Sequence, residues 1–368
     1  MQTLNECYKE IAQDDRRWSY YSNPPYSICG TWTDPERSYR FIRDYFNYAG
    51  KSEVFKDKYL ERYPGFVTER AQHIISTFLL GIKITESFDI DINTRNDDNM
   101  NFLYYWFLTC LYHDIGYVYE NDSNLNHLEI VKRDGIQALK EICHLEHVHQ
   151  RIFQTYPYGI VDFYLKCRTD SQETQPKLDH GIVGGLLLYD KLRKQFKMAW
   201  KRRTDKLDGR NSFYVVHEGT GRRLHLSNQH YDAYAKAADA VIAHNIWTST
   251  LREYIAQCGN TNQLPNINLN KTIDIDNTLC FILSLADTIE PLKRCPHYLD
   301  AIKIETIQDC KGFRIRANVN DFNSIYSKIK SLEDWITIKV DVENAKNNDK
   351  IILFTLPNKI GGDRHVFP

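Results

Sequence analysis

The chain has 368 residues, enough to bury a full hydrophobic core in one large domain with an appendage or in two domains. Hydrophobic residues make up 42% of it and charged residues 26%, which excludes disorder over most of the length. Lysine and arginine (47) nearly balance aspartate and glutamate (48), and the net charge of -1 gives no overall attraction to nucleic acid. A local basic patch is still compatible with that average.

The cysteines and the N-terminus indicate a cytoplasmic protein. The nine cysteines are odd in number and form no CxxC pair, which is typical of reduced thiols. The first residues lack the basic and apolar regions of a signal peptide, and the longest apolar stretch is interrupted well short of a membrane span. We therefore expect no membrane contact, while a homo-oligomer or a protein partner is compatible with the composition.

Residues 1–60 are predicted to form a short helix and an aromatic loop. A polar helix is expected over 1–17, and the prolines at 24 and 25 prevent a regular helix in the loop at 18–26. We expect the Trp and Tyr rings of this loop to pack over the core. The alternative is a base-stacking platform of the kind found in nucleotide-binding proteins.

Residues 61–300 are predicted to form a mainly α-helical domain. Apolar residues at 71, 74, 75, 78, 79 and 82 follow the helical period. Further helices are predicted at 102–112, 127–147, from 179 onward, 231–247 and 276–293. The histidines at 144, 147 and 149 do not share one helix face, so we interpret them as a solvated helix end rather than a metal cluster.

Two segments depart from the helical pattern. A basic insertion at about 196–230 contains a predicted β-hairpin, and lysines or arginines stand at 194, 197, 201, 202, 203, 206 and 210. This insertion is either solvated or a contact surface for a phosphate backbone or a partner chain. Residues 301–368 are predicted to form a small α+β unit of ββαββ type, with strands at 303–307, 313–317, 336–340 and 351–354 around a helix near 321–334.

The most informative motif is His113-Asp114, which follows the apolar run 102–111. An imidazole and a carboxylate are costly to bury unless something compensates them, and a metal ion does so well. Four more metal-competent residues lie on or at the ends of predicted helices: His73, His180, His244 and Asp287.

The order H, HD, H, H, D of these residues resembles the signature of the HD-domain metal-dependent phosphohydrolases, over roughly residues 65 to 295. The resemblance implies an HD-domain helical bundle. It also implies that His73, His113, Asp114 and Asp287 hold one metal ion, that His180 and His244 hold a second, and that Asp114 bridges the two. Nitrogen and oxygen ligands of this kind suit two divalent transition-metal ions, Mn, Fe, Co, Ni or Zn.

Four residues are predicted to assist the metal ions. Asp179 either orients an imidazole and moves a proton or caps a helix. Lys177 and Arg70 either neutralise the substrate phosphate or form ordinary ion pairs. Tyr117 stands where many family members have a lysine, three residues after the HD aspartate, which puts a cationic role there in doubt.

The resulting expectation is a phosphohydrolase, whether phosphodiesterase, nucleotidase or nuclease, that cleaves a phosphoester bond through a metal-bridged hydroxide. A small nucleotide would use a closed pocket with Tyr117 and the loop at 18–26 as walls. A single-stranded nucleic acid would use the basic segment at 194–210. The alternatives are a non-catalytic binding or regulatory module and an HD-fold di-iron oxygenase similar to the inositol oxygenases.

Overall fold

The computed structural model describes most of the chain in separate stretches. The described residues are 1–20, 24, 26–48, 64–90, 102–120, 125–170, 176–201, 212–216, 223–227, 229–257, 273–291, 298–307, 311–318, 328–345 and 349–357. Within them the fold is mainly helical with a small antiparallel sheet near the C-terminus. The coarse prediction of the fold class is therefore confirmed.

The helices form a bundle around a large apolar core. Their bounds are α1 Leu4–Gln13, α2 Pro35–Tyr48, α3 Pro64–Ser87, α4 Phe102–Tyr112, α5 Tyr117–Glu120, α6 Leu125–Asp134, α7 Ile136–Ile142, α8 Tyr158–Asp170, α9 His180–Lys201, α10 Gln229–Ala243, α11 Thr248–Gln257, α12 Thr278–Ile289 and α13 Tyr298–Ala301. Helices α4 and α12 are apolar on nearly every face and almost completely buried, as expected for helices at the centre of a bundle.

The sheet joins both ends of the described chain. Its strands are β1 Gln2–Thr3, β4 Lys303–Thr306, β5 Gly312–Asn318, β6 Lys339–Asn344 and β7 Asp349–Thr355, all antiparallel in the order β1-β4-β5-β7-β6. Phe313 and Phe354 face each other across β5 and β7 with ring centroids 4.7 Å apart. The Phe88 ring packs edge-on against Phe281 of α12 and Phe313, so one aromatic cluster connects the sheet to the helices.

The C-terminal unit differs in detail from the predicted ββαββ arrangement. The strand expected at 336–340 begins later, at Lys339, because Ile336 instead forms a parallel bridge with Ile273. In the described part of the predicted helix near 321–334, residues 328–331 are helical and continue into the 3-10 turn Leu332–Asp334. The short N-terminal strand β1, which the sequence pattern does not reveal, adds to the sheet beside β4.

The helix predicted over 127–147 is two helices, α6 and α7. Gly135 separates them with a φ of 60°, which a residue with a side chain adopts only under strain. A Cβ at this position would also overlap the carboxylate of Asp162, which accepts the hydrogen bond from the first amide of α7, Ile136, at 2.8 Å. The single-helix prediction was wrong because periodicity alone does not register this capped break.

The insertion is confirmed as a hairpin, but the helix before it is longer than expected. Strands β2 Ser212–Val216 and β3 Arg223–Ser227 pair in antiparallel fashion. Helix α9, predicted from residue 179 onward, extends to Lys201, so the first part of the basic segment is helical. Of the basic positions in this segment, 202, 203, 206 and 210 lie outside the described residues, as do the side chains at 197 and 201.

The described part of the aromatic loop packs on the core as predicted. The Trp18 ring contacts Phe41 and Tyr45 of α2, and Tyr20 contacts Tyr45 and Tyr104. These contacts fix the N-terminal segment against the bundle. Among the described helices, none has both the length and the apolar character that crossing a bilayer requires.

Candidate metal centre

Five helices deliver the predicted ligands to one place in the bundle. His73 lies within α3 and Asp287 within α12, whereas the other four sit at helix ends, where the backbone turns inward: His113 and Asp114 after α4, His180 at the start of α9 and His244 directly after α10. Gly116 allows the turn after α4 to approach α9, because a Cβ there would overlap the backbone of His180. The structure thus brings all six predicted ligands together.

The first group consists of His73, His113 and Asp287. The Nε2 atoms of the two histidines are 3.0 Å apart, and the Oδ1 atom of Asp287 lies 3.1 Å from His73 Nε2 and 3.3 Å from His113 Nε2. Both histidines are buried, and Asp287 keeps 18% of its side chain exposed. These three ligand atoms form a compact triangle, in which the Asp287 side chain is the one partly open to solvent.

The second group consists of Asp114, His180 and His244, all buried. The Oδ1 atom of Asp114 lies 3.9 Å from His180 Nε2 and 3.5 Å from His113 Nε2, while its Oδ2 atom lies 3.4 Å from His73 Nε2. The two oxygens of Asp114 therefore face both groups. This is the geometry that the bridging prediction requires.

The hydrogen bonds at Nδ1 decide which nitrogen of each histidine carries the proton. His113 Nδ1 lies 2.6 Å from the carbonyl oxygen of Cys110, and His73 Nδ1 lies 2.5 Å from the Oε2 atom of Glu290. A carbonyl or carboxylate oxygen only accepts, so each Nδ1–H donates. When both imidazoles are neutral, their Nε2 atoms present lone pairs to one another, and a contact of 3.0 Å between two lone pairs is repulsive unless a proton or a metal ion lies between them.

The other two histidines are held in the same way. His180 Nδ1 donates to Glu120 Oε2 at 2.7 Å, and His244 Nδ1 donates to the carbonyl oxygen of Val241 at 2.5 Å. Burial lowers the pKa of His244 to about 3, with Asp287 opposing this and His180 adding to it, so its imidazole is neutral at pH 7. Its Nε2 is buried and has no hydrogen-bond partner among the described residues.

The donor set fits divalent transition-metal ions. All four imidazoles donate outward through Nδ1 and turn Nε2 inward, which is the usual way in which proteins orient metal-binding histidines. Ligands about 2.0 to 2.1 Å from an ion lie about 2.9 to 3.4 Å apart at ordinary coordination angles, and the first group has this spacing. The nitrogen and carboxylate donors suit manganese, iron, cobalt, nickel or zinc.

The carboxylate of Glu120 keeps its charge although it is largely buried. Burial raises its pKa, but the hydrogen bonds from His180 and Lys177 and the charge of Lys177 outweigh this effect and hold the pKa below its ordinary value. Lys177 forms an ion pair with the Oε1 atom of Glu120. Glu120 is therefore an ionised acceptor that fixes the ring of His180.

The two predicted substrate-binding residues stack beside the ligands. The ring of Tyr117 lies 3.8 Å from that of His180, with 14° between the planes, and the guanidinium of Arg70 lies 4.4 Å from the Tyr117 ring centre. Arg70 Nη1 donates to Asp114 Oδ2 at 2.9 Å. This layered arrangement places a cation at the entrance of the metal centre.

A pocket of about 510 Å³ opens beside the metal centre. Three of the six predicted ligands lie on its wall: His180, His244 and Asp287. The remaining lining residues are Arg70, Tyr117, Tyr164, Arg168, Asn245, Trp247, Thr250, Ser284, Thr288 and Lys328. The volume falls in the range of ordinary small-molecule sites.

Asp179 and Lys177 have contacts of other kinds, and their catalytic roles stay predictions. The fully buried carboxylate of Asp179 accepts hydrogen bonds from the backbone N–H of Ile182 at 3.0 Å and from the side chain of Asn245 at 2.6 Å. It therefore caps the start of α9, and Glu120 is the carboxylate that orients His180. Lys177 contacts the metal centre through Glu120.

The histidines at 144, 147 and 149 lie apart from this centre. His144 is exposed, His147 is partly buried in the loop after α7, and His149 Nε2 pairs with the hydroxyl of Tyr189 at 2.5 Å. None of the three belongs to a potential metal-binding group among the described residues. Their separation from the six ligands makes them suitable controls.

Sequence reasoning missed the residues that hold the histidines and shape the pocket. Glu290 had a usable signal, because it follows Asp287 by three residues and so falls on the same side of the helix. Glu120 and the pocket residues Arg168, Trp247 and Lys328 had none, since only the tertiary fold brings them near the ligands.

Comparisons of this chain with models of protein families, with curated proteins and with solved structures found no match. What the site does must therefore be inferred from its own geometry and chemistry.

Proposed function

We propose that this chain is a metal-dependent phosphohydrolase of the HD-domain type that cleaves a phosphoester bond in a nucleotide or a nucleic acid. One observation carries the proposal. Four buried imidazoles donate Nδ1–H outward and converge on two carboxylates through Nε2, beside a pocket with cationic walls. Such a cluster of acceptors is costly to bury unless cations occupy it.

Two divalent ions in such a site supply a water of lowered pKa and polarise the oxygens of a phosphoryl group. The protein's own part is to hold the donor atoms in place before substrate arrives. Glu290 fixes His73, the backbone carbonyls of Cys110 and Val241 fix His113 and His244, and Glu120 fixes His180. Because Nδ1 is engaged in each case, every ring is held in one tautomer and orientation.

Arg70 and Asp287 prepare the site for an anionic substrate. Arg70 is 28% exposed and lies between Asp114 and the pocket, so its guanidinium is positioned to bind a phosphoryl oxygen. Asp287 is the more accessible of the two carboxylate ligands and faces the same pocket. Substrate oxygen atoms would therefore enter between a fixed cation and the ligand cluster.

The stacked Tyr117 gives this pocket an aromatic wall in place of a lysine. Its ring covers one face of His180 and bears Arg70 on the other side. Substrate charge would thus be neutralised by Arg70 and the ions rather than by a side chain at position 117. Because His180 and Arg70 cover the two faces of the Tyr117 ring, its edge is the part left to contact a substrate.

A substrate panel tests the proposal directly. The protein is stripped with EDTA, reloaded with manganese, iron, nickel or zinc, and incubated with mono- and dinucleotides and with single- and double-stranded DNA and RNA. We expect phosphate or nucleotide release from at least one substrate class with at least one metal, and loss of release when EDTA is added again.

The other outcomes separate the alternatives. Metal binding with no turnover of any substrate would contradict the proposal and favour a non-catalytic module. Oxygen consumption by the iron-loaded protein without phosphoester cleavage would also contradict it and favour a di-iron oxygenase.

A further inference from the structure

We propose that Trp247 is the platform on which the base of a nucleotide substrate stacks in the pocket beside the metal centre. This inference rests on the proposed function, because it names the part of the substrate that the pocket recognises in addition to the phosphoester. Trp247 follows the predicted ligand His244 by three residues, and both line the pocket of about 510 Å³. One turn of the chain therefore presents a predicted metal ligand and an indole ring to the same cavity.

Trp247 has the most accessible aromatic ring in the described lining of this pocket. Besides the two histidines, the aromatic residues there are Tyr117, Tyr164 and Trp247. His180 and Arg70 cover the two faces of the Tyr117 ring, and Tyr164 is only 2% exposed. The side chain of Trp247 is partly exposed. A planar ligand in the pocket can therefore stack on Trp247 and not on either tyrosine.

The turn that carries Trp247 is fixed by hydrogen bonds from two buried tyrosines. The hydroxyl of Tyr156 donates to the backbone carbonyl oxygen of Ile246 at 3.2 Å. The hydroxyl of Tyr164 donates to the backbone carbonyl oxygen of Asn245 at 3.0 Å. A ring on a turn that is already ordered loses little further freedom when a ligand stacks on it, which favours binding.

Trp335 supports the Trp247 ring from the C-terminal unit. The centroids of the two rings are 5.2 Å apart, and Trp335 is buried and lies outside the lining of the pocket. The backbone carbonyl oxygen of Trp335 accepts the N–H of Ile273 at 2.7 Å, which ties this support to the segment before α12. The indole of Trp247 thus packs against a buried neighbour while part of its surface faces the pocket.

A nucleobase is the planar group that suits this arrangement. The pocket has the volume of an ordinary small-molecule site, and its wall carries Trp247 together with three of the predicted metal ligands. A nucleotide joins a flat aromatic ring to a phosphate group, so a single molecule can contact both parts of the wall. Stacking on an aromatic side chain is open to every base, because each base has a π face.

The test measures binding without turnover. The four ribonucleoside 5′-monophosphates and ribose 5-phosphate, which lacks a base, are titrated calorimetrically into the full-length protein in EDTA, which withholds the metal ions that hydrolysis needs. We expect at least one nucleotide to bind at least about tenfold more tightly than ribose 5-phosphate, a gain typical of one stacked base. Trp247→Leu should weaken binding of that nucleotide about tenfold and change binding of ribose 5-phosphate by less than about twofold, since leucine keeps an apolar contact with Trp335 but offers no ring.

Two further variants serve as controls. Trp247→Phe keeps a ring and should bind the nucleotide within about threefold of the wild type. Tyr26→Ala removes an exposed aromatic side chain of the loop at 18–26, outside the lining of the pocket, and should bind like the wild type.

Three results would overturn the platform: nucleotides that bind no better than ribose 5-phosphate, wild-type affinity in Trp247→Leu, or equal losses of both kinds of ligand in that variant. A loss in Tyr26→Ala in place of Trp247→Leu would move base stacking to the loop. Because the titration needs no hydrolysis, a protein that cleaves no substrate would contradict the proposed function and still leave this result decisive.

Discussion

Two buried polar clusters of the helical bundle differ in how their hydrogen-bond donors and acceptors are matched. Around Asp239 of α10, donors and acceptors match: its carboxylate accepts the backbone N–H groups of Gln154 at 2.9 Å and Thr155 at 3.1 Å and the Thr155 hydroxyl at 2.5 Å. Asn277 donates in turn to that hydroxyl at 2.8 Å. A few residues further along the chain, the Nε2 atom of His244 faces other acceptors and has no hydrogen-bond partner in the part of the chain that the structure describes.

The difference shows how a structural cluster is told apart from a ligand site. The Asp239 network is satisfied by groups within the described part of the protein, so its hydrogen bonds stabilise the fold. At the candidate metal centre the four imidazoles donate outward through Nδ1 and turn Nε2 inward, and Arg70 donates to one oxygen of Asp114, so the inward-facing nitrogens are arranged as a group that could hold metal ions. The comparison predicts that the two clusters respond differently to the same kind of substitution.

The largest effect is expected from Asp114→Ala. Its two oxygens face both groups of histidines, so its removal should lower kcat/KM by more than about 1,000-fold and reduce the bound metal below two ions per chain. His147→Ala should retain wild-type activity, since that side chain lies outside both ligand groups. Equal losses in two folded variants, as judged by circular dichroism, would mean that the site has been misplaced.

Asp239→Ala should act on stability instead. It leaves the partly buried backbone N–H groups of Gln154 and Thr155 without their acceptor, and we expect the free energy of unfolding to fall by about 2 to 4 kcal/mol, measured by urea denaturation. Asp232→Ala, an exposed position on the same helix, should change it by less than about 1 kcal/mol. Loss of metal from the folded Asp239→Ala protein would contradict the claim that this cluster acts on stability and not on metal binding.

Glu290→Gln tests whether the outward contacts matter to the metal centre. Glu290 is fully buried and holds His73 at Nδ1, so the amide should weaken metal affinity by about 10- to 100-fold with little change in folding. The exposed Glu253→Gln serves as its control. Unchanged affinity in Glu290→Gln would show that the backbone, and not the carboxylate, sets the ring of His73.

The smallest effect is a pH dependence at Asp239. Burial raises its pKa from 3.8 to about 6, against the opposing hydrogen bonds of Thr155 and Gln154. The folded protein therefore holds a proton between pH 4 and 6 that the unfolded chain has released, so this contribution to stability is greatest at low pH and is lost as pH rises through 6. Relative to Asp239→Asn, the wild type should lose about 1 to 3 kcal/mol of unfolding free energy between pH 4 and 7. Parallel pH profiles for the two proteins would contradict this.

The sequence predicts the ligands better than their surroundings. His113, Asp114 and Asp287 stand out because each interrupts or ends a strongly apolar helix, and a charged or polar residue in that setting needs a compensating partner. Glu120 and Lys328 lie in polar stretches where one more charged residue is unremarkable. Their roles come from the packing of segments that are distant in the chain, and local hydrophobic periodicity does not reveal such packing.

The same limit applies to the fold. Buried helices such as α4 and α12 follow from hydrophobic runs, and the hairpin follows from its alternating strands and glycine turn. The break at Gly135 and the pairing of β1 with β4 depend on Asp162 and on a strand some 300 residues away in the chain. Neither partner can be identified from the local sequence.

The most direct test of the metal centre is the number of ions that the folded protein binds. Protein stripped with EDTA is titrated with manganese, iron, nickel or zinc, and the ions retained after gel filtration are counted by elemental analysis. Six inward-facing ligand atoms in two groups predict about two ions per chain for at least one of these metals. A stoichiometry near zero with all four would contradict the account.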